Sequence, residues 1–212
     1  MPLAESGLVK QWTFAPEVEN TDEFLSDLVK MGICPAIGHS AASPAEVSRA
    51  AKGGARLVTH LYDATGCAVE PTAYDGTIEV SFSFATLLED NLYYEIICDK
   101  CGVHVRPEFV RLTAKTVGVD RICGVTDACT GDESDTDINI VDGELYGSKL
   151  TMDGVARNFA AIGFSLPDVF KITSKNPATV VGLEKTGILK EGYFADIIVI
   201  DGDFNVEKVF VR

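Results

Sequence analysis

Five short apolar segments, each separated from the next by a helical pattern or a long connection, recur through the first 126 residues and leave few architectures open. Gln11 to Ala15, Ile33 to Ile37, Arg56 to Thr59, Tyr93 to Cys98 and Arg121 to Thr126 read as strands. Between them, Glu19 to Lys30 spaces Phe24, Leu25 and Leu28 at helical intervals, with Thr21 or Asp22 placed to cap its start. Ser43 to Ala51 opens on a serine, a proline at the first helical position and Glu46 two residues further on, the signature of a capping box. Val80 to Leu88 reads as an apolar or helical segment, and Pro107 to Val117 as a helix. Strands that alternate with helices pair in parallel, because each crossover lays its helix on a face of the sheet. The expected fold class is therefore α/β.

The pattern changes after Asp127. Ile138 to Tyr146 reads as a hairpin turning at Asp142-Gly143, Met152 to Ile162 and Leu166 to Thr173 as helices, and Ala195 to Ile200 with Val206 to Val211 as two further strands. The βα units and following helices are assigned to residues 1–180, and the final strands to a separate small β domain at 181–212.

Charge narrows the partners. Eighteen Lys and Arg against 32 Asp and Glu give a net charge of -14, which repels a phosphodiester backbone and argues against nucleic acid, though not against a phosphorylated small molecule. There is no basic start followed by an apolar h-region, and no apolar run near the roughly 20 residues that cross a bilayer, so no membrane is expected and the cytoplasm is the expected location. Six cysteines, at 34, 67, 98, 101, 123 and 129, are too sparse for a stapled secreted scaffold. Cys98 and Cys101 make a single CxxC spacing, read as two reduced cysteines rather than a redox or zinc pair. Neither a dinucleotide GxGxxG nor a phosphate-binding GxxxxGK[ST] is present.

The chemistry concentrates at strand ends. The chain has three histidines, His39, His60 and His104, and each lies just beyond a strand; Asp127 takes the same place after the fifth. In parallel α/β sheets the carboxyl ends of the strands form the functional rim. His39 and His60, one βα unit apart, are candidate ligands for one divalent metal, zinc or similar, whose bound water would become the nucleophile. His104 is placed to polarise or hold a substrate, and Asp127 to take a proton from water and return it to a leaving group. Glu17, after Pro16, is a candidate rim carboxylate, ranked below an ordinary helix-start acid.

The words Phe14-Ala15-Pro16-Glu17, Gly38-His39-Ser40, Thr59-His60-Leu61-Tyr62-Asp63-Ala64, Gly102-Val103-His104-Val105, Val125-Thr126-Asp127-Ala128, Gly147-Ser148-Lys149-Leu150-Thr151-Met152, Asn176-Pro177-Ala178 and Gly192-Tyr193-Phe194-Ala195-Asp196 follow in order along the chain. In these words the sequence resembles the amidohydrolase superfamily, and within it the N-acetylglucosamine-6-phosphate deacetylases. The resemblance implies a metal-dependent (β/α)8 TIM barrel with a small β domain built from both chain ends, and an activity that removes the acetyl group of N-acetyl-D-glucosamine 6-phosphate. It implies His39 and His60 as metal ligands, His104 as the substrate-polarising histidine and Asp127 as general base and acid. It places Asp63 and Ala64 at the sugar phosphate, and Leu150, Thr151 and Met152 beside the sugar.

The five strands correspond to the last five of eight βα units, so the resemblance implies a partial barrel whose first three strands, with the glutamate metal ligand of the third, have no counterpart here. Local departures touch the phosphate site: Asp63-Ala64-Thr65 replaces Asn-Ala-Met, Val69 stands where the family has an arginine that reaches a neighbouring subunit's phosphate, and Cys101 replaces the aspartate before Gly-x-His, with Asp99 two residues upstream. Alternatives are a related amidohydrolase acting on another amide, or a catalytically incomplete fragment with a binding or assembly role. Exposed strand edges lead to the expectation of a homodimer, or of a separate or missing N-terminal barrel segment.

Overall fold

The computed structural model describes residues 2–65, 74, 76–131 and 136–211. Cys67 and the departure at Val69 lie outside the described residues. A five-stranded sheet runs in sequence order, β1 (Gln11–Phe14), β2 (Cys34–Ile37), β3 (Leu57–Val58), β4 (Tyr93–Ile97) and β5 (Ile122–Val125). The α/β expectation holds, and each strand falls inside its expected segment. The chain divides into two compact units, residues 1–95 with 180–182, and residues 96–179 with 183–212.

In the first unit, β1 pairs with β2, β2 with β3 and β3 with β4, all parallel. A short N-terminal helix α1 (Pro2–Glu5) precedes β1; α2 (Thr21–Lys30) and α3 (Pro44–Gly53) supply the first two crossovers, and α4 (Phe82–Thr86) precedes β4. The Ser43–Glu46 capping box forms with both reciprocal hydrogen bonds. The start of α2 departs from expectation: Asn20 occupies the cap with φ 63° and no side-chain bond, while the Thr21 hydroxyl donates backwards to the carbonyls of Pro16 and Val18. A threonine whose hydroxyl finds main-chain acceptors in the preceding turn no longer serves the helix N–H groups. Leu25 and Leu28 are buried, and Trp12 and Phe14 meet Phe24 edge-to-face, which fixes the α2 layer against β1.

The other face of these strands is concave. The hydroxyls of Thr13 on β1 and Thr59 after β3 lie 2.8 Å apart, although β2 stands between them. Strands twice removed in a flat sheet are roughly 10 Å apart, too far for two short side chains to touch, so this part of the sheet curls as a barrel wall does. Gly38 permits the contact, because a Cβ there would sit 2.6 Å from Cβ of Thr59.

The second unit begins within β4. It holds α5 (Pro107–Val117), β5, a hairpin of β6 (Ile138–Val141) and β7 (Glu144–Ser148), α6 (Met152–Ala161) and α7 (Leu166–Phe170). Asp142 and Gly143 turn the hairpin with φ of 52° and 89°, the left-handed pair that a two-residue turn requires. After α7 the backbone loosens into one π-helical turn, Lys171–Lys175, before α8 (Asn176–Val180). The final strands β8 (Ile197–Ile200) and β9 (Val206–Phe210) form a separate antiparallel ribbon.

Candidate active site

His39 and His60 follow β2 and β3 by two residues, and both have left-handed backbones, φ 50° and 27°. Asp127, two residues after β5, shares that conformation at φ 46°. Non-glycine residues avoid this region, and where a fold imposes it the strain concentrates at working sites.

The first unit brings His39 and His60 together. Their Nε2 atoms are 2.8 Å apart and their rings lie edge to face. His60 is buried, and its Nδ1 is 3.1 Å from the main-chain oxygen of Asp63. A carbonyl only accepts, so Nδ1 of His60 carries the proton, its Nε2 presents a lone pair, and His39 donates Nε2–H to it. The Asp63 carboxylate accepts from the N–H of the exposed Ala64 at 3.1 Å. Glu17 does not serve as a helix-start acid. It precedes α2 and braces the loop after His39, accepting from the Ser40 hydroxyl at 2.6 Å and from Ala41 N–H at 2.8 Å.

The divalent metal, zinc above all, is an expectation that the structure corrects. A catalytic zinc takes three protein ligands and a structural one takes four. Among the described residues there is no group of three or more His, Cys, Asp or Glu able to hold an ion. The histidine pair offers two ring nitrogens, and these are taken up in a hydrogen bond with one another. The carboxylates bonded into these loops are committed elsewhere: Glu17 to Ser40 and Ala41, and Glu95 to the Gln11 amide and the His60 main chain. The residues present do not fit the group.

In the second unit, His104 is buried with both ring nitrogens facing acceptors, Nδ1 at 3.2 Å from the Asp99 carboxylate and Nε2 at 3.1 Å from the Gly147 carbonyl. Both partners only accept, so the ring satisfies both when it carries a proton on each nitrogen, as a cation paired with Asp99. Burial alone would raise the Asp99 pKa. Hydrogen bonds from the His104 ring and from the N–H groups of Val103 and His104, with the charge on His104, outweigh it and hold the carboxyl at about 2. Asp99 also accepts from Cys101 N–H, so one carboxylate organises the whole loop. Cys98 is buried, and burial first, then the charges of Asp99 and Asp137, push its thiol up to about 12. A thiol held that high is almost wholly protonated at neutral pH and a poor nucleophile.

Asp127 is exposed, and its main chain is stitched to β7: its carbonyl accepts from Ser148 N–H at 2.8 Å, while Cys129 N–H bonds the Ser148 carbonyl at 2.9 Å. Gly147 makes the approach possible, since a Cβ there would collide with the Asp127 oxygen. Leu150 is buried, whereas Thr151 and Met152 are exposed at the start of α6. Sequence reasoning passed over Gly147 as the partner of both His104 and Asp127, over Asp99 as the partner of the His104 ring, and over Glu95. The remaining Asp upstream of Gly102-Val103-His104 was the signal for Asp99; nothing in the sequence marks Glu95.

The amidohydrolase family profile matches residues 3–212. The chain belongs to the amidohydrolase family. Among curated amidohydrolases it is 30% identical over 223 residues to the N-acetylglucosamine-6-phosphate deacetylase of Bacillus subtilis, covering 97% of this chain and 54% of that protein. It is 29% identical over 219 residues to the N-acetylgalactosamine-6-phosphate deacetylase of a Shewanella strain, covering 96% and 53%. The crystal structure of the N-acetylglucosamine-6-phosphate deacetylase of Pasteurella multocida superposes with a TM-score of 0.83 at 29% identity, covering 99% of this chain and 57% of that one. The chain thus spans about half the length of the curated amidohydrolases it matches, and its fold is a partial barrel of their type.

Proposed function

We propose that the chain carries the hydrolytic deacetylation of an N-acetyl amino sugar 6-phosphate, N-acetyl-D-glucosamine 6-phosphate first, to the free amine and acetate. One observation carries this reading: on a chain similar along nearly its whole length to such deacetylases, His39 and His60 meet at 2.8 Å at the ends of neighbouring strands. Amide hydrolysis needs a base for the attacking water, a donor for the oxyanion and an acid for the departing nitrogen. In our reading Asp127 takes the proton from water and returns it to the nitrogen. His104 polarises the acetamide carbonyl once its bond to Gly147 opens. Asp63, Ala64, Leu150, Thr151 and Met152 border the sugar phosphate.

A second reading has its own observation. The Asp63 carboxylate already occupies the Ala64 N–H, and an acid at that place disfavours a phosphate, which supports a related amidohydrolase acting on an uncharged amide. Partners belong to the same proposal. The β8–β9 ribbon exposes Ile198, Val209 and Phe210, and an isolated two-stranded sheet is marginal in water without cover. We propose that a homodimer, or a further βα segment pairing beside the edge strand β1, supplies what the half-length chain lacks. In this reading residues 1–180 form the partial barrel and 181–212 the small β domain. A phosphorylated sugar is held inside the cell, so the reading places the chain in the cytoplasm.

The test is acetate release from N-acetylglucosamine 6-phosphate, N-acetylgalactosamine 6-phosphate and unphosphorylated N-acetylglucosamine, with light scattering on the same sample. Acetate from the phosphorylated sugars supports the first reading. Acetate from none of them, or from the unphosphorylated sugar alone, favours the second reading, and a chain that hydrolyses no other amide either is a binding or assembly module.

A further inference from the structure

We propose that Glu95 is a positioning residue for the histidine pair: its carboxylate, anchored by Gln11, holds the main chain of His60 in the left-handed conformation that aims its ring at His39. Successive side chains of a strand point to opposite faces. On β4 the Tyr94 hydroxyl donates to the Thr86 carbonyl of α4, so Tyr94 belongs to the helix side and Glu95 to the concave side. There Oε1 of Glu95 accepts from the Gln11 amide at 3.0 Å, and Oε2 accepts from His60 N–H at 3.4 Å. The main-chain oxygen of Glu95 takes the next N–H, that of Leu61, at 2.8 Å.

One residue therefore holds two consecutive N–H groups at the point where the chain leaves β3, where His60 has φ 27°. A β-ladder supplies the Leu61 bond by itself. It does not supply the His60 bond, whose acceptor comes from the Glu95 side chain. Beyond His60 the Asp63 carbonyl sets the ring's tautomer, so the carboxylate fixes the near end of the loop and the carbonyl its far end. Gln11 reaches Glu95 across two intervening strands and keeps the carboxylate from swinging away. Even half-buried, a carboxylate loses hydration that donors must replace, and here His60 N–H, the group being positioned, is one of those donors and the Gln11 amide the other. The bearing of this arrangement on turnover rests on the deacetylase reading; the geometry does not.

The experiment reads imidazole nitrogens by two-bond proton–nitrogen spectra of the uniformly labelled 212-residue chain. With three histidines in the sequence, each ring is assigned by single substitution. The expected pattern is His60 protonated at Nδ1 and His39 at Nε2. Glu95→Gln keeps it, because the new amide oxygen accepts from His60 N–H and the Gln11 amide turns over to offer its own oxygen. Glu95→Met matches the length without an acceptor, and moves both rings to the averaged nitrogen shifts of free histidine while the melting temperature stays within a few degrees. Unchanged shifts in E95M overturn the proposal. An E95M chain that fails to fold also overturns it, since the carboxylate would then hold the fold rather than aim a side chain. E95Q spectra that move as far as those of E95M overturn it as well, by making charge the cause. No turnover is needed, so an inactive chain leaves this test intact.

Discussion

Nδ1 of His60 faces the main-chain oxygen of Asp63 at 3.1 Å, and this contact decides which of the two paired rings donates and which accepts. Because the acceptor is main chain, the Asp63 side chain is dispensable for it. Asp63→Ala is expected to keep the Nδ1–H tautomer of His60 and to change stability by no more than about 1 kcal/mol, the worth of its one bond to Ala64 N–H. Imidazole nitrogen shifts check this; a His60 ring that changes tautomer in D63A contradicts it.

Gly147 is expected to tolerate no side chain. Its φ is 59°, and a Cβ would strike the Asp127 oxygen and stand 2.8 Å from Sγ of Cys129. Gly147→Ala therefore pushes β7 away from Asp127 and loosens the carbonyl that caps His104, at a cost of about 2 kcal/mol or more. Urea unfolding measures it, and an alanine variant as stable as the parent contradicts the close approach.

The Asp99–His104 pair sets an acid limit. The folded pKa of Asp99, about 2, lies below its ordinary value of 3.8. A depressed carboxylate pKa contributes stability that is complete above the unfolded value and is lost as pH falls through the folded one. The loss, roughly 2 kcal/mol, is expected between about pH 4 and pH 2. Asp99→Asn should be less stable at neutral pH and flatter across that window. Chemical denaturation at several pH values reads both, and equal slopes for parent and variant contradict the pairing.

Thiol chemistry should divide the cysteines by burial. Cys98 is held at about 12 and Cys34 at about 11, the latter by burial first, with Arg56 opposing and Glu95 adding. Cys101 and Cys129 are exposed. Iodoacetamide at pH 8, followed by peptide mass spectrometry, should label Cys101 and Cys129 and spare Cys34 and Cys98. Labelling of Cys98 as fast as Cys101 contradicts the burial of the Cys98 thiol.

Much of the fold was legible because its signals are local. Strand runs bounded by Gly and Pro, the Ser43-Pro44-Glu46 cap and the Asp142-Gly143 turn each act within a few residues, and each formed where expected. Thr21 misled because a hydroxyl can cap forward or bond backwards, and only the path of the Pro16–Val18 turn decides between them. The histidines were visible as strand-end polar residues, but their surroundings were not. Gln11 and Glu95 are 84 positions apart, and His104 and Gly147 are 43 apart. Such contacts are fixed by sheet curvature and by a hairpin folding back, neither of which leaves a periodic mark. The metal expectation failed for the same reason: two histidines at matching strand ends say nothing about whether a third ligand arrives beside them.

The most direct measurement is acetate release from N-acetylglucosamine 6-phosphate by the parent chain and by Asp127→Asn, at equal concentrations of folded protein checked by circular dichroism. Asparagine keeps the size of Asp127 and leaves its main-chain bond to Ser148 in place, but cannot accept the proton from water. The expected result is measurable turnover in the parent and a fall of about 10²-fold or more in the variant with the fold retained. Undiminished acetate release by D127N, or none from the parent, would contradict deacetylation by this chain through Asp127.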